Sequence, residues 1–289
     1  MGGSSIVGSY TREILSQHSP IPISIVRNYF LPKWISKDWF VIAVSYSGNT
    51  EETLASLAQA EERGSKILTV TSGGQIANEF GHFPQILIQE GVQPRAALPL
   101  LLSEVLPISE TLVGAPMTDL IDISESLASA SKKWGKAIPT PSVIVEKIHN
   151  RIPLFIGAQH LGPVAYRAKC QINENSKAEA FNSEIPEATH NEIEGFPESK
   201  ASAIIPVFLR SSDEDTRISQ KMEVAFDLYN EIGLNPINLH SFGNSKIESM
   251  LTLTHYLDMV SVELAEKKGI DAVNVTRIKE LKTRLASKD

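Results

Sequence analysis

Between residues 40 and 70 the chain runs from a short apolar stretch, FVIAVS, through a glutamate-rich amphipathic segment into a second apolar stretch, KILTVT. Apolar runs of this length suit strands buried on both faces, and the segment between them is long enough to cross back as a helix. Within it Leu54, Leu57 and Ala58 follow helical spacing over 53–63, behind a first turn rich in glutamate, and Gly64 supplies a stop. Strands are predicted at 39–45, Lys66–Thr71, 85–89, 152–157, 203–209 and 236–239, with helix-length segments between them. Such alternation predicts an α/β fold of mostly parallel sheets flanked by helices, with ligands beyond the carboxyl ends of the strands.

A second cycle of strands starts near Arg151. It follows a stretch holding Lys132, Lys133, Gly135, Lys136, Pro139 and Pro141, which reads as a helix end and a connector. The expected domains are therefore 1–135 and 136–289. In the second, Ile247, Met250, Leu251, Leu257, Val260 and Leu264 keep three-to-four spacing and end at Lys267, Lys268 and Gly269, which predicts one long helix. Two successive α/β units of similar size are compatible with an old duplication.

Composition narrows the function classes. A chain of 289 residues, 42% hydrophobic, can bury a large core. Its net charge of −7 gives no basic face with which to displace counterions from a nucleic acid, so that partner is not expected. One cysteine, Cys170, excludes an internal disulfide framework. No apolar run approaches the roughly 20 residues that cross a bilayer, and no leader pattern precedes the globular part. A cytoplasmic setting, without a membrane partner, is the expectation.

The most informative stretch is SYSGNTEET, 45–53, between a strand and a helix. Ser45, Ser47 and Thr50 offer small hydroxyl donors and Gly48 allows close backbone approach. The helix that follows offers unsatisfied N–H groups and the positive end of its dipole, so the segment reads as an anion site for a phosphate ester. The competing reading is plainer: Thr50 or Asn49 caps the helix and the serines make an ordinary turn. No lysine follows as in a nucleotide-binding loop, and there is no GxGxxG.

SYSGNTEET resembles the phosphate loop of sugar-isomerase (SIS) domains. With MGGSS at 1–5, PRAAL at 94–98 and NENSKAEAFNSEIPEATHNEIEGF at 173–196, the chain resembles the bifunctional phosphoglucose/phosphomannose isomerases over most of its length. That resemblance implies two SIS domains, each a flavodoxin-like three-layer sandwich, and a cofactor-free aldose-ketose isomerisation through a cis-enediolate. It implies that Glu174 moves the proton between C1 and C2, as suits a carboxylate made more basic by partial burial. Arg95 would stabilise the enediolate with its permanent charge. His190, sixteen residues after Glu174, would open the sugar ring and would be supplied across the interface of a homodimer. Ser45, Ser47 and Thr50 would hold the phosphate, with Ser4 a further phosphate or hydroxyl ligand. Lys282, within ELKTRL on a basic helix expected at 273–285, would be the active-site lysine, although a helix end stabilised by its own dipole explains those charges equally well. The other histidines show no paired metal-ligand spacing, so no metal is expected.

Two departures stand out. Relatives carry a threonine-containing turn before the last helix that goes with the mannose epimer, and here the region reads DAVNVT, which makes mannose 6-phosphate the less expected substrate. Relatives also carry a helix and a first strand before MGGSS, so the first domain is expected to lack a strand and the turn at 2–5 to lose packing. Two other functions fit the same fold: a non-catalytic sugar-phosphate-binding SIS regulatory protein, and a SIS isomerase for another sugar phosphate.

Overall fold

A computed structural model describes residues 2–196 and 203–287. Met1, the first residue of MGGSS, lies outside the described residues. The chain divides into two compact units, Met1–Leu120 and Ile121–Asp289.

The first unit opens with helix α1 (Gly2–Leu15) and continues through β1 (Phe40–Ser45), α2 (Glu51–Glu62), β2 (Lys66–Thr71), α3 (Gly74–Glu79), β3 (Gln85–Leu87) and α4 (Leu98–Val113). Its sheet is parallel, ordered β1-β2-β3, with Val41 opposite Ile67 and Val70 opposite Ile86. On one face Ala43 and Ile67 pack with Leu57, Ala60, Ile76 and Phe80. On the other, α1 and α4 pack on one another and against β1 and β2, burying Ile6, Val7, Tyr10, Leu101 and Val105. Truncating one such buried leucine to alanine costs about 2–5 kcal/mol, so both faces matter. Residues 2–5, expected as a turn, are instead the first turn of α1, because Ile6, Val7 and Tyr10 give the segment an apolar helical face.

The second unit contains α5 (Leu120–Ser131), α6 (Pro141–Ile148), β4 (Ile152–Ala158), α7 (Gly162–Ser176), β5 (Phe181–Ile185), β6 (Ile204–Arg210), α8 (Thr216–Glu231), β7 (Ile237–His240), α9 (Lys246–Lys267) and α10 (Thr276–Ala286). The sheet is again parallel, ordered β5-β4-β6-β7. Phe208, Leu154 and Ile156 meet Met222, Ala225 and Tyr229 of α8. Helices α7 and α9 pack together, and Arg167 grips Asp258 with two hydrogen bonds of 3.2 and 2.6 Å. The long helix expected around 247–264 is α9.

The expected break after Gly135 falls within the second unit. Helix α5 belongs there because Ser126 donates a hydrogen bond to the Glu248 carboxylate of α9, and Trp134 lays its ring against His255 and Tyr256 at 5.0 and 5.5 Å. Strand β5 was not expected from sequence: FNSEI has three consecutive polar residues between its two apolar ends. Strand β3 stops at Leu87 rather than 89, where the Gln89 carbonyl accepts from the Tyr46 hydroxyl at 3.2 Å.

Candidate functional site

In the first unit the site is built at the carboxyl end of β1. Gly48 takes φ +65°, and a Cβ there would lie 1.8 Å from the Gly73 carbonyl, so only glycine fits. The Gly48 N–H donates to the Ser45 carbonyl at 3.1 Å, closing the turn. The loop leans on a second one, 72–74, at the end of β2. Ser72 donates both its N–H and its hydroxyl to the Tyr46 carbonyl, at 3.0 and 2.6 Å, and Gln75 N–H donates to Asn49 Oδ1 at 2.9 Å. Sequence reasoning missed this TSGG loop, whose small residues between a strand and a helix were the available signal.

The plain helix-cap reading does not hold. Thr50 stands at the N-cap of α2 but gives no side-chain cap; its Oγ1 pairs with Ser45 Oγ at 3.0 Å, and the Asn49 side chain is taken by Gln75. Among the described residues the N–H groups of Thr50, Glu51 and Glu52 have no hydrogen-bond partner, while those of Thr53 and Leu54 return to the Thr50 carbonyl. Ser47 is exposed, and its Oγ accepts from Asn49 N–H at 3.3 Å, which leaves its proton to donate. The result is an open N-terminal helix end ringed by hydroxyls. Glu51 and Glu52 bring negative charge to the same turn; the Tyr29 hydroxyl binds the Glu51 carboxylate at 3.2 Å, and loss of hydration first, then Glu52 and Glu51, push the Tyr29 phenol upward.

Ser4 and Arg95 join this end of the unit. Ser4, buried on the first turn of α1, accepts a hydrogen bond from the Tyr46 N–H at 3.1 Å. Arg95 is buried in a 3-10 turn at Pro94–Ala96, and α1 crosses it so closely that a Cβ on Gly3 would sit 3.1 Å from Arg95 Cα. The first unit thus gathers Ser4, Ser45, Ser47, Thr50 and Arg95.

The second unit carries the remaining candidates, Glu174, His190 and Lys282. Glu174 is half-buried in the last turn of α7. Its surroundings are fixed by hydrogen bonds to α9: Asn175 donates to Ser261 Oγ at 2.8 Å and Ser176 to the Ser261 carbonyl at 2.6 Å. Lys177, at φ +48°, folds its ammonium back onto the Glu174 carbonyl at 2.8 Å and across to the Asp271 carbonyl, also 2.8 Å. His190 is exposed at the end of a 3-10 turn, Glu187–His190, that follows β5. Helix α7 begins at Gly162 beside the Glu184 carboxylate, near the carboxyl end of β5. It then runs back, so Glu174 lies about 18 Å down the helix axis from that end. Glu174 and His190 of one chain therefore face opposite ends of the sheet and cannot meet on one small ligand. Lys282 is exposed on α10, none of whose described residues is buried.

Among the described residues no cluster of three histidine, cysteine or acidic side chains could hold a metal ion, and no helix is long and apolar enough to cross a membrane.

Residues 140–285 match the bacterial phospho-glucose isomerase C-terminal SIS domain, and residues 1–93 match the SIS domain. The bifunctional phosphoglucose/phosphomannose isomerase of Aquifex aeolicus is 35% identical over 99% of this chain and 88% of its own length. That of Caldicellulosiruptor bescii is 33% identical over the same shares. A D-glucosamine-6-phosphate 4-epimerase of Sulfolobus acidocaldarius is 30% identical over 98% of this chain and 87% of its own. In fold, the C-terminal domain of glucosamine-fructose-6-phosphate aminotransferase from Francisella tularensis superposes with a TM-score of 0.76 at 16% identity, over 95% of this chain and 84% of that one.

Proposed function

Because the chain belongs to the bifunctional phosphoglucose/phosphomannose isomerase family, it is an isomerase of sugar phosphates, and we propose that it interconverts glucose 6-phosphate, and mannose 6-phosphate less readily, with fructose 6-phosphate. The observation that carries the substrate class is the uncapped start of α2. There the unpartnered N–H groups of Thr50, Glu51 and Glu52 and the Ser47 hydroxyl present donors to an anion.

In this reading the phosphate docks on Ser45, Ser47 and Thr50, with the Ser4 hydroxyl beside them. Arg95 places a cation that cannot lose its proton near O1 and O2, where negative charge develops in the enediolate. Glu174 takes the proton from C2 and returns it to C1 on the same face. His190 exchanges protons with the ring oxygen and O1 to open the sugar. The opposed positions of Glu174 and His190 in one chain support a homodimeric site that takes Glu174 from one subunit and His190 of the partner subunit. Lys282 reaches the sugar from α10, whose exposed Ile278, Leu281 and Leu285 form a stripe suited to docking. The reaction needs no cofactor, and the setting is cytoplasmic.

The test is a coupled assay on glucose 6-phosphate and mannose 6-phosphate. Fructose 6-phosphate formed from either, faster from the glucose epimer, supports the reading. Tight binding of both without turnover would place the chain among sugar-phosphate sensors.

A further inference from the structure

Tyr46 sits between the two serines of the hydroxyl loop but is itself buried, and each of its polar groups is spent on a different segment. Its carbonyl takes both bonds from Ser72, and its N–H donates to Ser4 Oγ at 3.1 Å. Its hydroxyl crosses to the segment that follows β3, where it donates to the Gln89 carbonyl at 3.2 Å and accepts from the Val92 N–H at 3.1 Å.

That hydroxyl stands inside a turn. A four-residue turn is commonly closed by a bond from the N–H of its last residue to the carbonyl of its first. At 89–92 the phenolic oxygen bonds both of those groups, and Gly91 takes φ +101° at the third position, where glycine is favoured. Residues 89–94 are all exposed, so the course of this stretch depends on what its backbone binds. Just beyond Val92 the chain enters the 3-10 turn Pro94–Ala96, where the Ala96 N–H donates to the Gln93 carbonyl at 2.8 Å and Arg95 is buried. Tyr46 reaches the same turn by a second route. Ser4, which receives its N–H, adjoins Gly3, and a Cβ on Gly3 would lie 2.9 Å from the Pro94 carbonyl oxygen.

We propose that Tyr46 is a positioning residue of the isomerase: by holding the turn at 89–92 it fixes Arg95 relative to the phosphate loop, so that a sugar phosphate gripped at one end meets the guanidinium at the other. The inference rests on the roles proposed above for Ser47, Thr50 and Arg95. Tyr46 itself touches neither the substrate nor the reacting atoms. Its hydroxyl governs kcat and leaves the phosphate grip alone, because the loop keeps its other bonds to Ser72 and Gln75. A tyrosine that only filled the core would do so with its ring and would tolerate phenylalanine.

The test uses Tyr46→Phe, Val92→Pro, Arg95→Lys and the double variant Tyr46→Phe with Arg95→Lys. The first deletes the hydroxyl and keeps the ring. Val92→Pro removes the N–H that the hydroxyl accepts from, at an exposed residue, so the bond is broken even if the buried substitution prevents folding. Each of these two is expected to lower kcat for glucose 6-phosphate by about 10–100-fold. KM and the calorimetric affinity for inorganic phosphate should stay within about twofold of the parent. Arg95→Lys is expected to lower kcat by about tenfold or more, and adding Tyr46→Phe to it to cost less than about twofold further, because the guanidinium being positioned is already gone. Parent-like kcat in Tyr46→Phe or in Val92→Pro, with Arg95→Lys impaired, would overturn the positioning role. So would phosphate affinity that falls along with kcat, or losses that multiply in the double variant. A parent-like Arg95→Lys would instead remove Arg95 from the reaction, and with it the reading on which the role of Tyr46 rests.

Discussion

Glu174 and His190 stand at opposite ends of one sheet, the first closing α7 after it has run back from the carboxyl end, the second following β5 beyond that end. If both work on the same sugar, two chains must contribute. Glu174→Gln alone should lower kcat by about 10²–10⁴-fold, in the range of a lost general base, with little change in melting temperature. Mixing Glu174→Gln subunits with His190→Ala subunits should then restore on the order of a quarter of wild-type activity, because half the dimers carry one intact site. Activity that stays at the single-mutant level after subunit exchange would place both groups in separate sites.

The phosphate end gives a different signature. Ser47→Ala and Thr50→Ala each remove a hydroxyl offered to a dianion, and hydrogen bonds to charged groups contribute about 1.5–3 kcal/mol. Each should raise KM for glucose 6-phosphate about tenfold or more, and weaken inorganic phosphate binding in calorimetry to match. Unchanged phosphate affinity in both variants would move the ester elsewhere.

Gly48→Ala tests the turn itself. The added Cβ would meet the Gly73 carbonyl at 1.8 Å in a backbone with φ +65°. A loss of stability on the order of 2–3 kcal/mol is expected, read by urea unfolding, together with loss of phosphate binding. A variant as stable as the parent would mean that the two loops do not hold each other.

Acid sensitivity should come from His160. Its ring is buried with neither nitrogen hydrogen-bonded among the described residues. Burial first, and then the Lys246 ammonium, push it down to about 4, against Asp213 and Glu214. The unfolded chain takes up that proton near pH 6.5 and the folded one only near 4, so the contribution is complete above about 6.5 and is lost as pH falls through that window. On the order of 2–3 kcal/mol should disappear between pH 7 and pH 4. His160→Leu should flatten that part of the profile, and an unchanged slope would assign the sensitivity to other groups.

The sheets were legible where strands are apolar without interruption, as in 40–45, 66–71 and 152–158. Strand β5 was not, because an edge strand with Asn182, Ser183 and Glu184 has no continuous apolar signal. The hydroxyl loop at 45–50 could be read because serine, glycine and threonine sit between a clear strand and a clear helix. Its partner at 72–74 was passed over although it is made of the same kinds of residue. Sixteen residues of spacing between Glu174 and His190 say nothing of direction; only the antiparallel return of α7 before β5 reveals that the two diverge. The boundary moved from Gly135 to Leu120 because Ser126 and Trp134 are held by α9, contacts more than a hundred residues away along the chain.

The mutual seating of 47–49 and 73–74 ties two stretches of sequence into one heritable block. A Cβ on Gly74 would collide with the Ser47 carbonyl at 2.3 Å and with Asn49 Oδ1 at 2.7 Å, just as one on Gly48 would strike Gly73. Neither loop can drift alone. Among descendants of this gene, changes at 48–49 should arrive paired with changes at 73–75, and transplanting one loop into a related scaffold should succeed only when the other travels with it.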